Sequence, residues 1–503
     1  MEVLPCGHVA YAGTSRMRPR GAHRAVAGPS PGRHRAPPNR PHRATARRSA
    51  RRTARHPGPD DERTRTMIAD LEESALDLLR NARLPDRDGL HDIEIDGERI
   101  GRILPAGLGT GGTFLDADGA LVSPPFVEPH VHLDTALTAG EPRWNASGSL
   151  WEGIAVWSER KRTLTREDVI DRATEVLRWY AANGVLYVRS HVDVTDPDLV
   201  ALDAMLEVRE RVADVITLQL VAFPQEGIVS FDNGAELLEE AARRGVDVIG
   251  AIPHFEDTRE DGVRSLEIAF DIARRYGLLL DAHCDEIDDE QSRFVEVLAT
   301  LARRGGLRDG ATASHTTAMG SYNGAYAYKL ERILARSGIN LVCNPLANLC
   351  LQGRFDAYPK RRGLTRVKEM LGAGVNVAFG HDDVMDPWFP LGTASPLQVA
   401  LTGIAAAQLT GPAEINEAFA MVTERAARVL RLGDSYGLAE GRPANLVVLP
   451  ADSRYDAVRR QTRPSHVIAR GRVVAETPAA PTVLHWPGHD PEEIDFRRRR
   501  DRT

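Results

Sequence analysis

Cysteine is scarce: four in 503 residues, at positions 6, 284, 343 and 350. So few in so long a chain exclude a disulfide framework, and no CxxC pair exists to build a thiolate zinc site. Reduced thiols of this kind fit a cytosolic protein. No run of about 18 consecutive apolar residues occurs, which excludes a transmembrane helix. The start of the chain has no apolar h-region, so a secretory signal is excluded too. Lysine is absent from residues 1–66.

What those 66 residues do hold is fifteen Arg, nine of the 31 Pro and four acids (Glu2, Asp60, Asp61, Glu62), a net charge of +11. The whole chain carries −7, so the remaining 437 residues carry −18. The basic segment shows no apolar periodicity, and its composition predicts disorder. Three readings of it are open. It binds nucleic acid by counterion release, it is an Arg-rich transit peptide, or it arises from a start codon assigned too far upstream. We take the third, because Met67 opens the first periodic stretch, a helix expected over 68–81 with apolar residues at 68, 71, 75, 78 and 79.

From about residue 120 to 386 short apolar runs alternate with amphipathic helical patterns, which is βα repetition. The runs span 121–127, 185–194, 216–223, 246–252, 278–283, 311–315, 340–344 and 376–381. Eight such units predict an α/β fold of the (β/α)8 TIM type. The alternative, a doubly wound sheet, would often carry a GxGxxG turn after its first strand, and none is present. Short strand-like segments flank the barrel at 92–103, 113–122, 444–449 and 466–476, predicting a small β-sandwich built from both flanks. A helical segment, 395–432, precedes the return strands. The expected organisation is a 1–66 extension, a helix and first β part over 67–120, the barrel over 121–435, the second β part over 436–480, and a tail over 481–503.

Each apolar run ends in functional groups: EPHVHLD, RSHVDV, FPQEG, IPHFE, AHCDE, SHTT, NPLAN, GHDD. Strand C-termini of a barrel converge on one mouth, where active sites are built. Seven of the eleven His after residue 66 lie in these clusters (130, 132, 191, 254, 283, 315, 381). His130 and His132 are two apart, so on a strand both face the same side. With a nitrogen from His283 and an oxygen from Asp382 they describe a catalytic divalent site with room for water. Such an ion supplies hydroxide near neutral pH. Asp382 and Asp383 are adjacent, so on a strand only one faces the metal and the other serves elsewhere, for instance in positioning. His315 is placed to orient or deprotonate the water, and Glu286 to deliver a proton to a substrate ring nitrogen. IPHFE carries no Lys, so a carbamylated Lys bridging two ions is not available there, which favours one metal.

The segments VSPPFVEPHVHLDTALTAGEPRWNASGSLWEGI, VAFPQEGI, GAIPHFEDTREDGV, DAHCDEIDDEQSRFVE, TASHTTAMGSYNGAY and FGHDDVMDPWFPLGTA resemble the cytosine deaminases of bacteria, in the amidohydrolase superfamily. The likeness runs from about Leu121 to about Val473. HCDEIDDEQSRF and GHDDVMDPW are its most specific parts. The resemblance implies one divalent ion, iron or zinc, held by His130, His132, His283 and Asp382. It implies that His315 acts with Asp382 on the water, and that Glu286 shuttles a proton to N3 of cytosine. Gln225 would pair with the pyrimidine edge, while Leu150, Asp383 and Trp388 would line the ring pocket. The implied reaction is hydrolysis of cytosine to uracil and ammonia, in a homo-oligomeric, cytoplasmic enzyme of pyrimidine salvage with no nucleic-acid or membrane partner. Cys350, just before Leu351 in the NPLANLCLQGRF stretch, departs from the family pattern; it reads as packing or as an oxidation liability.

Rival readings share the scaffold. Deaminases of isoguanine, creatinine or a triazine need the same metal and acid–base groups, and only the pocket residues separate them. A dihydropyrimidinase-like ring opener wants the missing Lys. A catalytically dead binding homologue should have lost a ligand, and none is lost. A nucleic-acid binder wants basic surface on its folded part, which is acidic here. The HxE and PCxxC pattern of the cytidine-deaminase zinc fold is absent.

Overall fold

In the computed structural model, which describes residues 75–497, the chain enters a sheet before it enters the barrel. The strands β1 (Leu78–Arg83), β2 (Leu90–Asp96), β3 (Arg99–Pro105), β4 (Phe114–Asp116) and β5 (Leu121–Ser123) come first. The helix expected over 68–81 is corrected here: residues 68–74 lie outside the described residues, and Leu78 onwards is strand. The register of β1 against β2 shifts between Leu79 and Ala82, where Asn81 takes a φ of 54°. Leu78, Leu79 and Ala82 are all buried across that bulge, an apolar spacing a helix would also produce. Pairing with β2, β4 and β5 decides in favour of strand.

The run expected over 121–127 is two strands of different sheets. Pro124 and Pro125 cannot donate to a ladder, so they interrupt it. Leu121–Ser123 stays in the flanking sheet, and the first barrel strand is β6 (Phe126–Val131). It is followed by β7 (Val185–Asp193), β8 (Thr217–Phe223), β9 (Val248–Ala251), β10 (Leu279–Cys284), β11 (Ala311–His315), β12 (Asn340–Cys343) and β13 (Asn376–Phe379). They pair in sequence order, all parallel. The first and last strands meet at a parallel bridge between Val131 and Asp382, which brings the ends of the sheet together as a barrel and excludes the open doubly wound sheet.

The connecting helices are α1 (Leu150–Lys161), α2 (Arg166–Ala182), α3 (Val200–Val212), α4 (Gly234–Arg244), α5 (Arg259–Tyr276), α6 (Phe294–Gly305), α7 (Gly324–Ser337), α8 (Pro345–Leu351) and α9 (Val367–Gly372). Their ends follow side-chain chemistry. Thr258 accepts from the Asp261 N–H to start α5, and Gly277, at a φ of 70°, ends it. The segment 395–432 is helical, as α10 (Pro396–Ala407), α11 (Pro412–Met421) and α12 (Glu424–Val429).

The chain then returns through β14 (Leu446–Leu449), the helix α13 (Arg454–Arg460), β15 (His466–Ala469) and β16 (Arg472–Glu476). β14 lies antiparallel to β5, so the sandwich expected from the two flanks is one continuous sheet, β16-β15-β14-β5-β1-β2-β3 with β4 on β1. It shares a core of Leu79, Ile93, Ile100, Val122, Leu446 and Ile468. The expected tail contains a hairpin, β17 (Thr482–Leu484) with β18 (Glu492–Ile494). No helix of the described residues is long and apolar enough to cross a membrane. Cys284, Cys343 and Cys350 are free thiols. Cys6 and the basic 1–66 segment lie outside the described residues.

Candidate active site

The C-terminal ends of the barrel strands bring His130, His132, His283 and Asp382 together, with their ligand atoms all within 4.8 Å of one another. His130 and His132 come from the end of β6, His283 from β10, and Asp382 from just past β13. His132 Nε2 and His283 Nε2 are 3.2 Å apart. Asp382 Oδ1 lies 3.1 Å from His130 Nε2 and 3.6 Å from His132 Nε2. His130 Nε2 and His283 Nδ1 have no hydrogen-bond partner although both are buried.

These groups fit a divalent cation. Burial, with the neighbouring imidazoles, holds His130 and His283 well below the usual histidine range, so both rings are neutral and able to act as donors to a cation. Burial, with the charges of Glu286, Asp386 and Glu128, pushes the Asp382 carboxyl well up. Asp383 and Asp386 are raised as well, first by burial. A cation among them would relieve that strain. Three imidazoles and one carboxylate are a donor set suited to zinc or iron.

The candidate acid–base groups, His315 and Glu286, adjoin this cluster. His315 Nδ1 lies 3.2 Å from Glu286 Oε1 and 3.8 Å from Asp382 Oδ2. Burial pushes the Glu286 carboxyl up to about 8. His315 and Asp382 both sit at positive φ, 68° and 72°, a conformation that aims non-glycine side chains at a cost of order 1–3 kcal/mol each. In the AHCDE stretch the two acids divide. Asp285 accepts from the N–H groups of Phe294 and Val295 and fixes the start of α6, whereas Glu286 faces the pocket.

The pocket is lined by His132, Leu150, Gln225, Ile252, His283, Glu286, His315, Leu351, Asp382, Asp383 and Trp388, around a cavity of about 290 Å³ that includes its open mouth. Every sequence-predicted substrate-binding residue, Gln225, Leu150, Asp383 and Trp388, is therefore at the cavity beside the cluster. Asp383 lines it alongside Asp382, because the chain turns at Asp382 and strand alternation no longer applies. Trp388 is held by its neighbours. Asp386 accepts from the Trp388 and Phe389 N–H groups and from the Thr135 hydroxyl, and Trp388 Nε1 donates to the Leu150 carbonyl at 3.3 Å.

Not every strand-end histidine enters the pocket. His381 turns outward, with Nδ1 2.8 Å from the Asp383 carbonyl and its ring near Phe389. His254 lies behind His283, against its carbonyl oxygen. Cys350 is half-buried on α8 and packs on the barrel core, while its neighbour Leu351 reaches the pocket.

Sequence reasoning missed Asn344, Asn348, Ser314 and Asp281. Asn348 Nδ2 is 3.0 Å from His315 Nδ1, and Asn344 is close by at 3.4 Å. The signal was available in NPLAN: amides four apart at the start of a helix share a face. Ser314 and Asp281 each sit immediately before or two before a functional histidine, and nothing in their spacing marks them.

A profile of the amidohydrolase family matches residues 113–475. The solved structure of 5-methylcytosine deaminase from Klebsiella pneumoniae liganded with 5-fluorocytosine is similar at 49% identity and a TM-score of 0.79, covering 82% of this chain and 100% of that one. N-isopropylammelide isopropyl amidohydrolase of Pseudomonas sp. (strain ADP) is 29% identical over 405 residues, 79% of this chain and 97% of the relative. Pterin deaminase of Rhizobium rhizogenes is 29% identical over 397 residues, 78% of this chain and 89% of the relative. With a matching profile across most of its length and a barrel whose mouth gathers this donor set, the chain belongs to the amidohydrolase family.

Proposed function

We propose that this chain is a hydrolytic deaminase of a 4-aminopyrimidin-2-one, cytosine or its 5-methyl derivative, releasing ammonia and the corresponding uracil. The observation that carries the reading is the placement of Gln225, Glu286 and Trp388 on one small cavity beside the His130–His132–His283–Asp382 cluster. The similarity to 5-methylcytosine deaminase over that protein's full length supports the pyrimidine over bulkier ring amines.

His130, His132, His283 and Asp382 would hold one divalent ion, Fe(II) or Zn(II). When bound, that ion lowers the pKa of a coordinated water enough to supply hydroxide near neutral pH. The protein's own groups do the rest. The Gln225 amide offers a donor and an acceptor to the ring edge, and Trp388 and Leu150 wall the ring. Glu286, raised to about 8 by burial, carries a proton near neutral pH and gives it to ring N3. Asp382 and His315 take up the proton that water loses; His315 Nδ1 lies 3.2 Å from Glu286 Oε1 and 3.8 Å from Asp382 Oδ2. The water oxygen bonds to C4, the amine gains that second proton and leaves as ammonia as the C4–N bond breaks, and the proton of the new C4 hydroxyl returns to Glu286, leaving the C4 carbonyl of the uracil.

The test is an ammonia-release assay on the metal-loaded protein with cytosine, 5-methylcytosine, isoguanine, creatinine and an aminotriazine. We expect turnover of the pyrimidines. Release from isoguanine or a triazine with none from either pyrimidine would overturn the substrate assignment.

A further inference from the structure

Behind the ligand cluster runs a chain of buried polar groups that the proposed chemistry does not use. Asp281 on β10 and Arg189 on β7 form an ion pair at 2.9 Å, and both side chains are within about one per cent of full burial. The other carboxylate oxygen, Asp281 Oδ1, accepts from the Ser314 hydroxyl at 2.8 Å. Ser314 Oγ in turn lies 2.9 Å from His130 Nδ1.

The proton count of this chain has one solution. A serine hydroxyl has a single hydrogen, and a carboxylate only accepts. The Ser314 proton therefore points to Asp281. Toward His130, Ser314 can only accept, so Nδ1 carries the imidazole proton. In the neutral ring Nε2 is then a bare lone pair. That lone pair faces Asp382 Oδ1 at 3.1 Å with no hydrogen bond between them. A cation between them would satisfy both atoms.

From this we infer that Asp281, acting through the Ser314 hydroxyl, is a positioning residue that locks His130 in the tautomer whose Nε2 faces the metal position. The relay is anchored at its far end. Arg189 also donates to Gln219 Oε1 and to the Val429 carbonyl, and Gln219 donates to the Leu430 carbonyl. The ring of His191 lies against the His130 ring, centroids 3.9 Å apart, and blocks it from swinging aside. Such partners of ligating histidines commonly contribute 10- to 100-fold in metal affinity. The inference rests on the reading of the His130 cluster as the metal site.

The experiment compares full-length wild type, Ser314→Ala and Ser314→Thr. It measures zinc affinity by competition with a chromophoric chelator, the visible spectrum of the cobalt-loaded protein, and the Tm of the metal-free form. We expect Ser314→Ala to bind zinc about 10- to 100-fold more weakly, with a changed cobalt spectrum and a metal-free Tm near that of wild type. Ser314→Thr, which keeps a hydroxyl, should recover most of the affinity. Zinc affinity of Ser314→Ala within twofold of wild type, with an unchanged cobalt spectrum, would overturn the relay. So would a metal-free Tm that falls as far as the metal-loaded one, with no recovery in Ser314→Thr, since that marks a packing role. A wild type that binds neither zinc nor cobalt would instead overturn the metal site itself.

Discussion

The backbone N–H of Asp382 donates to the His130 carbonyl at 2.9 Å, and the Asp382 carbonyl accepts from the His132 N–H at 3.0 Å. The seam that closes the barrel and the spacing of three candidate metal ligands are thus one piece of geometry. Side chains set by a strand register are held more rigidly than side chains offered by loops.

Asp382→Asn keeps this backbone pairing and the side-chain volume but removes the charge. We expect the protein to stay folded, to lose most of its bound metal, and to lose at least about a hundredfold in rate. Metal analysis, circular dichroism and ammonia release on one preparation check all three. Stripping the wild type with a chelator should reproduce the loss, and adding back Fe(II) or Zn(II) should reverse it.

Glu286→Gln should separate chemistry from metal binding. The amide fills the same space in the pocket but cannot deliver a proton. Metal content should match the wild type, while the rate falls about 10²- to 10⁴-fold. A variant that lost its metal along with its activity would show that Glu286 acts through the cluster and not on the substrate.

Gly153 on α1 sits where an added Cβ would come within 2.4 Å of the Trp388 ring. Gly153→Ala must therefore push the indole into the pocket or move the helix. We expect a cost of ~1–3 kcal/mol in stability and a raised KM, with kcat less affected. Urea unfolding and steady-state kinetics give the two numbers.

Lys161 pins the C-terminal end of α1 to the barrel: its Nζ lies 2.9 Å from Asp193 Oδ2 and 2.6 Å from Glu226 Oε1. Burial alone would raise the Asp193 carboxyl, but Lys161 and Thr195 hold it below the usual range. Its contribution to stability is then fully present above about pH 4, the unfolded value, and is lost as pH falls through the lower folded value. Asp193→Asn should be less stable than wild type near neutral pH by about 3 kcal/mol. That gap should close in acid. Denaturant unfolding from neutral pH down to about pH 3 measures it.

Much of this site was legible in the chain itself. Eight apolar runs, each ending in polar groups, specify a barrel mouth, because strand polarity forces parallel strand ends to one side. The HxH pair, His283, Glu286, His315 and Asp382 follow from that placement. The misreadings have local causes. The bulge at Asn81 gave β1 the apolar spacing of a helix, and Pro124–Pro125 divided what looked like one strand. His381 carries the same strand-end signature as His315 yet turns outward, since alternation within a strand end depends on where the chain bends.

By itself, then, the sequence determined the alternation of strands and helices through the barrel, the kind of residue at each strand end, and the acidic character of the chain after residue 66. Tertiary structure alone decided the rest. It placed Asp382 at the seam with His130, brought the Leu150–Gly153 end of α1 against Trp388, and threaded Arg189, Asp281 and Ser314 behind the candidate ligands. These relationships join residues up to 252 positions apart, as in the His130–Asp382 pair. Their physical basis is barrel closure, which sets distances that no local pattern of hydrophobicity or charge encodes.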